Sequence, residues 1–307
     1  MDATDFAALA ARLPRGVRFG TSSWTYPGWC GLVYSSPYPK TRPSAPLLGQ
    51  YARFPLFGTV GIDSSFYRPL EQETLREYAA ELPPGFPCVS KVWDRITVHT
   101  FGRHEKLHSG EPNPDFLNAA LFEDEVLGPM REHFSQNTGP FVFELQAIPR
   151  SARLSAGGFA DTLDTFLGAL PRDAQYAIEL RNAEYLSEAY FAVLREHDVA
   201  HAFNSWTRMP SIGEQLDRED AITAPFVVAR ALMAPGHTYE DSVDAFAPFD
   251  RIQVPRPDVR ADLLRLIKAA LGRGLGIYVL VNNRLEGNSP LTIAALAGML
   301  VEESDAQ

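Results

Sequence analysis

The strongest constraint on the fold is a regular alternation of short apolar segments with amphipathic helical patterns. Eight segments have the length and composition of buried strands, at residues 17–22, 59–63, 87–92, 141–145, 177–182, 199–203, 226–229 and 276–281. Helical patterns occupy residues 5–13, 46–54, 71–82, 115–135, 158–170, 187–197, 259–271 and 289–302. Strands that alternate with helices are typical of a parallel sheet. Eight such units in 307 residues favour an α/β fold, a single (β/α)8 TIM-type barrel with long βα loops.

The remaining sequence patterns agree with one barrel domain over residues 1–307. No glycine-rich phosphate fingerprint follows the first strand, which disfavours an open sheet that binds dinucleotides. The chain contains neither a G-x-S-x-G elbow nor a Walker loop, so neither serine hydrolase nor P-loop chemistry has sequence support. We also find no linker, short repeat or low-complexity tract.

Composition limits the partners that we expect. The formal net charge of −10 disfavours broad electrostatic binding of nucleic acid, although a local cationic pocket remains compatible with it. The two cysteines, Cys30 and Cys88, do not resemble a disulfide framework. The N-terminus is acidic where a secretory signal would be basic, and no apolar run approaches the ~18 residues that span a bilayer. We therefore expect a soluble cytoplasmic protein without membrane association.

Polar and aromatic side chains stand at the end of nearly every predicted strand. The active sites of TIM-type barrels lie at the carboxyl ends of the strands, so we expect these side chains to surround one polar opening. We expect roughly half of them to contact a ligand. They are Ser22, Trp24, Asp63, Ser65, Tyr67, Lys91, Trp93, Glu144, Gln146, Glu179, Arg181, Asn204, Arg230, Asn282 and Asn283.

The cations in this set indicate a small anionic ligand. Lys91, Arg181 and Arg230 would reach the same opening. Planar guanidinium groups suit the bidentate capture of phosphate or carboxylate. The alternative is that these cations only neutralise the neighbouring carboxylates, which are Asp63, Glu144 and Glu179.

The other predicted ligand contacts indicate a ring or polyol portion. Trp24, Tyr67 and Trp93 offer flat apolar faces that stack on sugar rings or bases. The amide side chains recognise hydroxyl and amide groups. These amides are Gln146, Asn282 and Asn283.

Five residues are candidates for acid–base work, namely Glu179, Asp63, Glu144, Lys91 and His99. Glu179 and Arg181 share one face of their strand because residues two apart point the same way. An adjacent arginine lowers the pKa of a carboxylate, which suits a base or an orienting group. Asp63 and His99 would assist, and Lys91 would act as a nucleophile only where desolvation lowers its pKa.

Residues 104–108 spell the zinc-protease motif H-E-x-x-H, which needs a rigid helix to hold both imidazoles. Gly102 precedes the motif, and a segment rich in glycine and proline follows at residues 109–114. At most about two helical turns fit between these breakers. The sequence therefore favours a solvated loop over the site rather than a zinc centre. No cofactor is predicted. A divalent metal is the less favoured alternative, with oxygen ligands from Glu179, Glu144 and Asp63 beside His99.

Several motifs together carry a family resemblance over nearly the whole chain. They are residues 20–26 with Trp29, Gly31 and Tyr34, residues 60–69, Ser90-Lys91 with residues 96–99, residues 143–146 with Pro149, residues 179–181, and Asn282-Asn283 with Gly287. In this order they resemble the YecE-like family, also called domain of unknown function 72. The resemblance implies a TIM-type barrel related to sugar isomerase-like barrels, with no settled reaction.

The chain departs from the family pattern at two strand ends. Gly61 stands where the family usually carries a glutamate, and Asp63 where it carries an asparagine. Arg230 is followed by Ala231-Leu232 instead of a histidine–glycine pair. Asp63 would then restore one acid at the rim.

These observations leave three hypotheses open. The first is an enzyme that acts on a phosphorylated or carboxylated sugar-like molecule by proton transfer or isomerisation, with binding energy from a remote anionic group. The second is a non-catalytic binder of a small anion. The third, a barrel that grips a nucleic-acid phosphate backbone, is disfavoured by the net charge.

Overall fold

The computed structural model describes residues 3–35, 38, 44–102, 108–233 and 245–305. Within these residues, eight parallel strands form one sheet. The strands are β1 (Val17–Thr21), β2 (Val60–Ile62), β3 (Cys88–Lys91), β4 (Thr138–Leu145), β5 (Tyr176–Leu180), β6 (Ala200–Asn204), β7 (Phe226–Ala231) and β8 (Gly276–Val281). Their hydrogen-bonded order is β1-β8-β7-β6-β5-β4-β3-β2. Each predicted strand is confirmed, with small shifts at the ends, and the sheet curls into a nearly closed (β/α)8 barrel.

A tyrosine side chain bridges the seam between the first and last strands of this order. The backbone N–H of Thr21 on β1 donates to the Tyr51 hydroxyl at 2.8 Å, and that hydroxyl donates to the carbonyl of Thr59, just before β2, at 3.1 Å. Gly20 permits the approach, because a Cβ there would lie 2.2 Å from the Thr59 oxygen. The seam is therefore closed by side-chain and loop contacts where a full strand ladder is missing.

Helices cover the outside of the barrel. They are α1 (Ala3–Ala11), α2 (Ser44–Tyr51), α3 (Gln72–Glu81), α4 (Asp94–Thr97), α5 (Ala119–Phe122), α6 (Gly128–His133), α7 (Ala156–Ala169), α8 (Glu188–Glu196), α9 (Ile212–Leu216), α10 (Pro257–Gly272) and α11 (Ser289–Asp305). A π-helical turn, Glu123–Leu127, joins α5 to α6. In the described part of the chain, none of the helices combines the length and apolarity that crossing a bilayer requires.

The helix expected over residues 115–135 begins four residues later, at Ala119. Leu117 has a left-handed backbone with φ of 56°, and its N–H donates to the Ile96 carbonyl at 2.8 Å, so a helix cannot start before it. Asn118 then caps α5, because its side-chain oxygen accepts the N–H of Leu121 at 3.0 Å. The short helices α4 and α9 were not predicted, although Ser211 and Glu214 form a capping box at the start of α9.

Two apolar layers hold the barrel. A large outer cluster packs the strands against the helices. A smaller cluster comes mainly from the strands themselves and consists of Val89, Val142, Ala177, Ala200, Ala202, Ala224, Phe226, Val228 and Leu280. Small alanines from β5 and β6 face larger residues of the other strands in this second cluster, as expected for a filled barrel interior.

Candidate functional site

A polar layer follows the apolar interior at the carboxyl ends of the strands. Side chains two residues apart on a strand share a face, so the residue two places after each inward residue reaches the next layer. Going round the barrel from β1 to β8, this layer consists of Ser22, Asp63, Lys91, Glu144, Glu179, Asn204, Arg230 and Asn282, which follow Gly20, Gly61, Val89, Val142, Ala177, Ala202, Val228 and Leu280. Each strand therefore contributes one polar group to the same end of the barrel.

A cavity of about 370 Å³ opens at this end and is called the barrel cavity here. The predicted residues that line it are Ser22, Asp63, Tyr67, Lys91, Glu144, Gln146, Arg181, Arg230 and Asn282. Its volume falls within the ~300–1,000 Å³ that small-molecule sites usually have. The barrel thus gathers most of the predicted side chains around one opening.

Glu144 is the centre of the charged groups in this cavity. Its Oε2 atom lies 3.0 Å from Lys91 Nζ, 2.8 Å from Arg181 Nη2 and 2.8 Å from Arg230 Nη1. Its other oxygen accepts a hydrogen bond from Gln146 Nε2 at 2.6 Å. Burial disfavours the ionised form, but Arg181, Lys91 and Arg230 outweigh that effect and hold the pKa of Glu144 well below its ordinary range. Glu144 is therefore a permanent anion that positions three cations.

Arg230 joins the carboxylates of three different strands. Its Nη2 atom lies 2.9 and 3.1 Å from the two oxygens of Asp63, and its Nη1 atom contacts both Glu144 and Glu179. Glu144 and Glu179 are direct neighbours in the register of β4 and β5, so their like charges need cations between them. Burial alone would lower the pKa of Arg230, yet these carboxylates raise it above the ordinary value. Arg230 is thereby kept charged.

Arg181 is held between a carboxylate pair and an indole ring. Its guanidinium contacts Glu179 and Glu144, and its central carbon lies 4.4 Å from the ring centroid of Trp206. A guanidinium over an aromatic face is a favourable cation–π arrangement. Lys91 is placed similarly, since its Nζ lies 3.8 Å from the ring centroid of Phe66. Aromatic residues therefore fix the directions of two cations.

The two carboxylates that line the cavity differ in acidity. Burial raises the pKa of Asp63 above its ordinary value, although Arg230 and Lys91 oppose that shift. The pKa of Glu144 moves in the opposite direction. Environments that shift the pKa values of two neighbouring carboxyl groups in opposite directions are typical of acid–base sites. Asp63 also keeps 29% of its side chain exposed, so it is the group that can exchange a proton with a ligand.

Ser22 supplies a hydrogen-bonding group that the protein leaves unused. It lines the barrel cavity and is only 2% exposed, and its hydroxyl oxygen has no partner among the described residues. Buried hydroxyl groups nearly always have a partner, and exceptions call for an explanation such as a ligand. Gly61 lies against Ser22, because a Cβ at Gly61 would lie 3.0 Å from the Ser22 Cα. The glycine at this family departure thus accommodates the close approach of β1 and β2.

Seven predicted residues lie off the cavity lining: Ser65, Trp93 and Asn204 at strand ends, and four more whose contacts are as follows. Glu179 is fully buried against Arg181 and Arg230. His99 contacts Thr100 at 2.9 Å, and burial lowers its pKa. The remaining two serve local structure: Trp24 donates to the Ser44 carbonyl at 2.7 Å, and Asn283 accepts from Ser289 at the start of α11.

Other residues of the lining were not predicted, notably Tyr26, Phe66, Trp206, Leu232, Met233 and Arg284. Trp206 stands two residues after Asn204, and Arg284 two residues after Asn282. A rule that reads alternate positions beyond each strand end would have found both. Leu232 and Met233 form an apolar part of the wall at the second departure from the family pattern.

The charged groups of the site are arranged as ion pairs. Each of the three carboxylates contacts at least one arginine. Over the described ranges, no group of three or more His, Cys, Asp or Glu side chains is placed to hold a metal ion. Of the H-E-x-x-H motif at residues 104–108, only His108 belongs to the described residues. Its Nδ1 atom lies 3.0 Å from Glu111.

Solved structures with the same fold come from two bacteria. A DUF72 family protein of Thermotoga maritima shares 15% sequence identity with a TM-score of 0.60, over 94% of this chain and 99% of that chain. A DUF72 family protein of Enterococcus faecalis shares 15% identity with a TM-score of 0.59, over 93% of this chain and 94% of the other. These similarities support the barrel architecture. No curated protein matches the sequence.

The family assignment comes from the sequence itself. The model of the family described as "Protein of unknown function DUF72" matches residues 18–307. This range begins in β1 and includes all eight strands of the barrel and its polar layer. The resemblance to YecE-like proteins is therefore confirmed, and the chain belongs to the DUF72 family.

Proposed function

We propose that this protein binds a small sugar-like molecule bearing a phosphate or carboxylate in the barrel cavity, and that Asp63 transfers a proton to or from it. The observation that carries the proposal is an asymmetry of charge at the cavity surface. Lys91, Arg181 and Arg230 line the cavity with only two of their carboxylate partners, since Glu179 is sealed away from it. A ligand in the cavity would therefore meet three cationic side chains and two carboxylates, with the third carboxylate behind the wall, and an anionic group would find charged donors there.

The polar lining suits the remainder of a sugar-like ligand. Ser22 has an unused hydroxyl, and Gln146 and Asn282 place amide groups at the same surface. Hydroxyl groups of a polyol pair with such groups as both donors and acceptors. Tyr67 adds an aromatic face that is 73% exposed.

Asp63 is the group that we assign to proton transfer. In its ionised form it would take a proton from a hydroxyl-bearing carbon next to a carbonyl group, which leaves an enediolate. Asp63 would then return this proton to the former carbonyl carbon while the hydroxyl proton passes to the former carbonyl oxygen, which completes an isomerisation. Burial raises the pKa of Asp63, which is the direction that suits a carboxyl group that both takes up and returns a proton. Glu179, which the sequence suggested as the base, would instead orient Arg181 and Arg230.

Replacing Lys91 with methionine tests the binding step. Titration calorimetry with ribose 5-phosphate, and separately with glucuronate, would measure affinity for a phosphate and for a carboxylate. We expect Lys91→Met to weaken binding of the preferred anion by about 10- to 100-fold, the usual value of a charged hydrogen bond. The matched control is Lys268→Met, since Lys268 pairs with Glu303 on the outer helices. Equal affinities of the two variants would refute the proposal.

The catalytic step has its own test. Asp63→Asn should leave binding within a few-fold and stop exchange of ligand protons with deuterated water, followed by NMR. If the unmodified protein binds the ligand but exchanges none of its protons with deuterated water, proton transfer is refuted and the protein is a non-catalytic anion binder.

A further inference from the structure

A second cavity adjoins the barrel cavity and is made largely of aromatic rings. It encloses about 240 Å³ and is called the aromatic cavity here. Its lining consists of Tyr67, Trp93, Asp94, Arg95, Val98, Phe101, Gly102 and His108. The volume lies below the ~300–1,000 Å³ of a complete small-molecule site, so it suits one part of a ligand.

Tyr67 connects the two cavities. It lines both of them, and 73% of the residue is exposed, which is unusual for a large aromatic residue. It follows the short 3-10 turn Asp63–Phe66, so the proton-transferring carboxyl group and the shared ring belong to one segment. A ligand that reaches from one cavity to the other would pass this ring.

Arg95 and His108, the basic residues of the aromatic cavity, already have protein partners, and Asp94 adds a carboxylate to the lining. Arg95 contacts Asp115 through both Nε and Nη2 at 2.6 Å, and His108 Nδ1 lies 3.0 Å from Glu111. The aromatic faces are therefore the distinctive feature of the lining. Phe101 and His108 lie with their ring centroids 5.9 Å apart, and Trp93 contributes a further large ring. Such faces stack on planar rings of many kinds.

We propose that the ligand has two parts, an anionic sugar-like part in the barrel cavity and a planar heteroaromatic ring in the aromatic cavity. A nucleoside monophosphate has this chemistry. The ring would stack on Trp93 and Tyr67 while the phosphate meets Lys91 and its neighbouring arginines. This inference rests on the anion-binding part of the proposed function and adds a ligand class to it. The sugar of a nucleoside monophosphate carries no carbonyl group, so this ligand would be bound without the isomerisation.

Adenosine 5′-monophosphate and ribose 5-phosphate are the probes that test the proposal, because both carry the phosphate and the ribose and only the nucleotide carries a planar ring. We expect the unmodified protein to bind the nucleotide more tightly by about 5- to 150-fold, the usual value of stacking one base. Trp93→Ala should remove this advantage and leave the affinity for ribose 5-phosphate unchanged, whereas Trp93→Phe should retain most of it.

Tyr67→Ala serves as a second variant, because the exposed side chain contributes little to folding. It should also reduce the advantage of the nucleotide over ribose 5-phosphate. Equal affinities for the two probes in the unmodified protein would overturn the two-part ligand and leave the proposed function intact. Failure of ribose 5-phosphate and glucuronate to bind would instead overturn the proposed function itself.

Discussion

Arg230 shows at the scale of one residue how the barrel tolerates charge in its interior. The side chain is 2% exposed and contacts Asp63, Glu144 and Glu179. Taking charges out of water is costly, and this cost is offset only where each charge finds good partners. The three carboxylates in turn depend on Arg230, Arg181 and Lys91. The network therefore fixes the positions of these charged groups more than it adds stability.

Substituting Arg230 with methionine should lower the free energy of unfolding by about 3–5 kcal/mol, because carboxylates are left buried without a neighbouring cation. Arg230→Lys should lower the free energy of unfolding by less, since the positive charge remains and only the planar guanidinium group is lost. Urea denaturation would measure both. The control is Arg265→Met, whose exposed pair with Asp217 is worth less than ~1 kcal/mol. A loss for Arg230→Met as small as that of the control would contradict this account.

At the scale of elements, the critical contact is the seam between β1 and β2. These strands are the ends of the hydrogen-bonded order, so their facing backbone groups need other partners. The Tyr51 hydroxyl of α2 serves both sides, with the N–H of Thr21 on one side and the carbonyl of Thr59 on the other. Seam geometry matters for the site, since Ser22 and Asp63 follow these two strands directly.

Tyr51→Phe should reduce the free energy of unfolding by about 1–3 kcal/mol, because it leaves buried backbone groups unpaired. Amide hydrogen exchange at Thr21 should accelerate as the seam loosens. Tyr176→Phe is the matched control, since its hydroxyl donates to the Pro171 carbonyl at 2.8 Å away from the seam. Unchanged exchange at Thr21 in Tyr51→Phe would show that the hydroxyl does not hold the seam.

At the scale of the whole molecule, global stability depends on pH through a buried histidine. His201 on β6 is 1% exposed, and its Nδ1 lies 3.0 Å from the Tyr190 hydroxyl. Its Nε2 lies 3.1 Å from Gln215 Oε1, which must accept because the Gln215 amide nitrogen donates to Asn204 and Pro210. Burial lowers the pKa of His201 to about 4, with a small opposing effect from Gln215. The ring is therefore neutral in the folded state.

Unfolding should become easier as the pH falls. The unfolded chain binds a proton at His201 with a pKa near ~6.5, whereas the folded protein resists it down to about 4. Stability from this group is complete above pH ~6.5 and is lost progressively below it, by about 2 kcal/mol between pH 7 and pH 5. Urea denaturation at both pH values would measure the loss, and His201→Gln should remove that part of it. Asp63 acts in the opposite direction, because a carboxyl group whose pKa is raised by burial gains stability as the pH falls.

How far the sequence alone predicts the site can be judged from particular residues. The period of two within a strand placed Lys91, Arg181 and Arg230 at the same end of the barrel, and the structure brings them together. The same reasoning could not distinguish Glu179, which is sealed from the cavity, from Asp63, which lines it. Trp24 and Tyr67 are both aromatic residues that follow a strand, so the sequence predicts the same role for them. In the structure Trp24 donates a hydrogen bond to Ser44 of α2, whereas Tyr67 is exposed.

Local order along the chain determined the architecture, because strand and helix periodicity and the alternation of units are properties of neighbouring residues. Contacts between strands far apart in sequence determined which side chains are buried and which charged groups lie close together. Only the closed arrangement decided that three cations share one oxygen of Glu144, that Ser22 keeps an unused hydroxyl, and that Tyr67 joins two cavities. The physical reason is that burial and Coulomb interactions depend on separation in space, which a linear pattern does not contain.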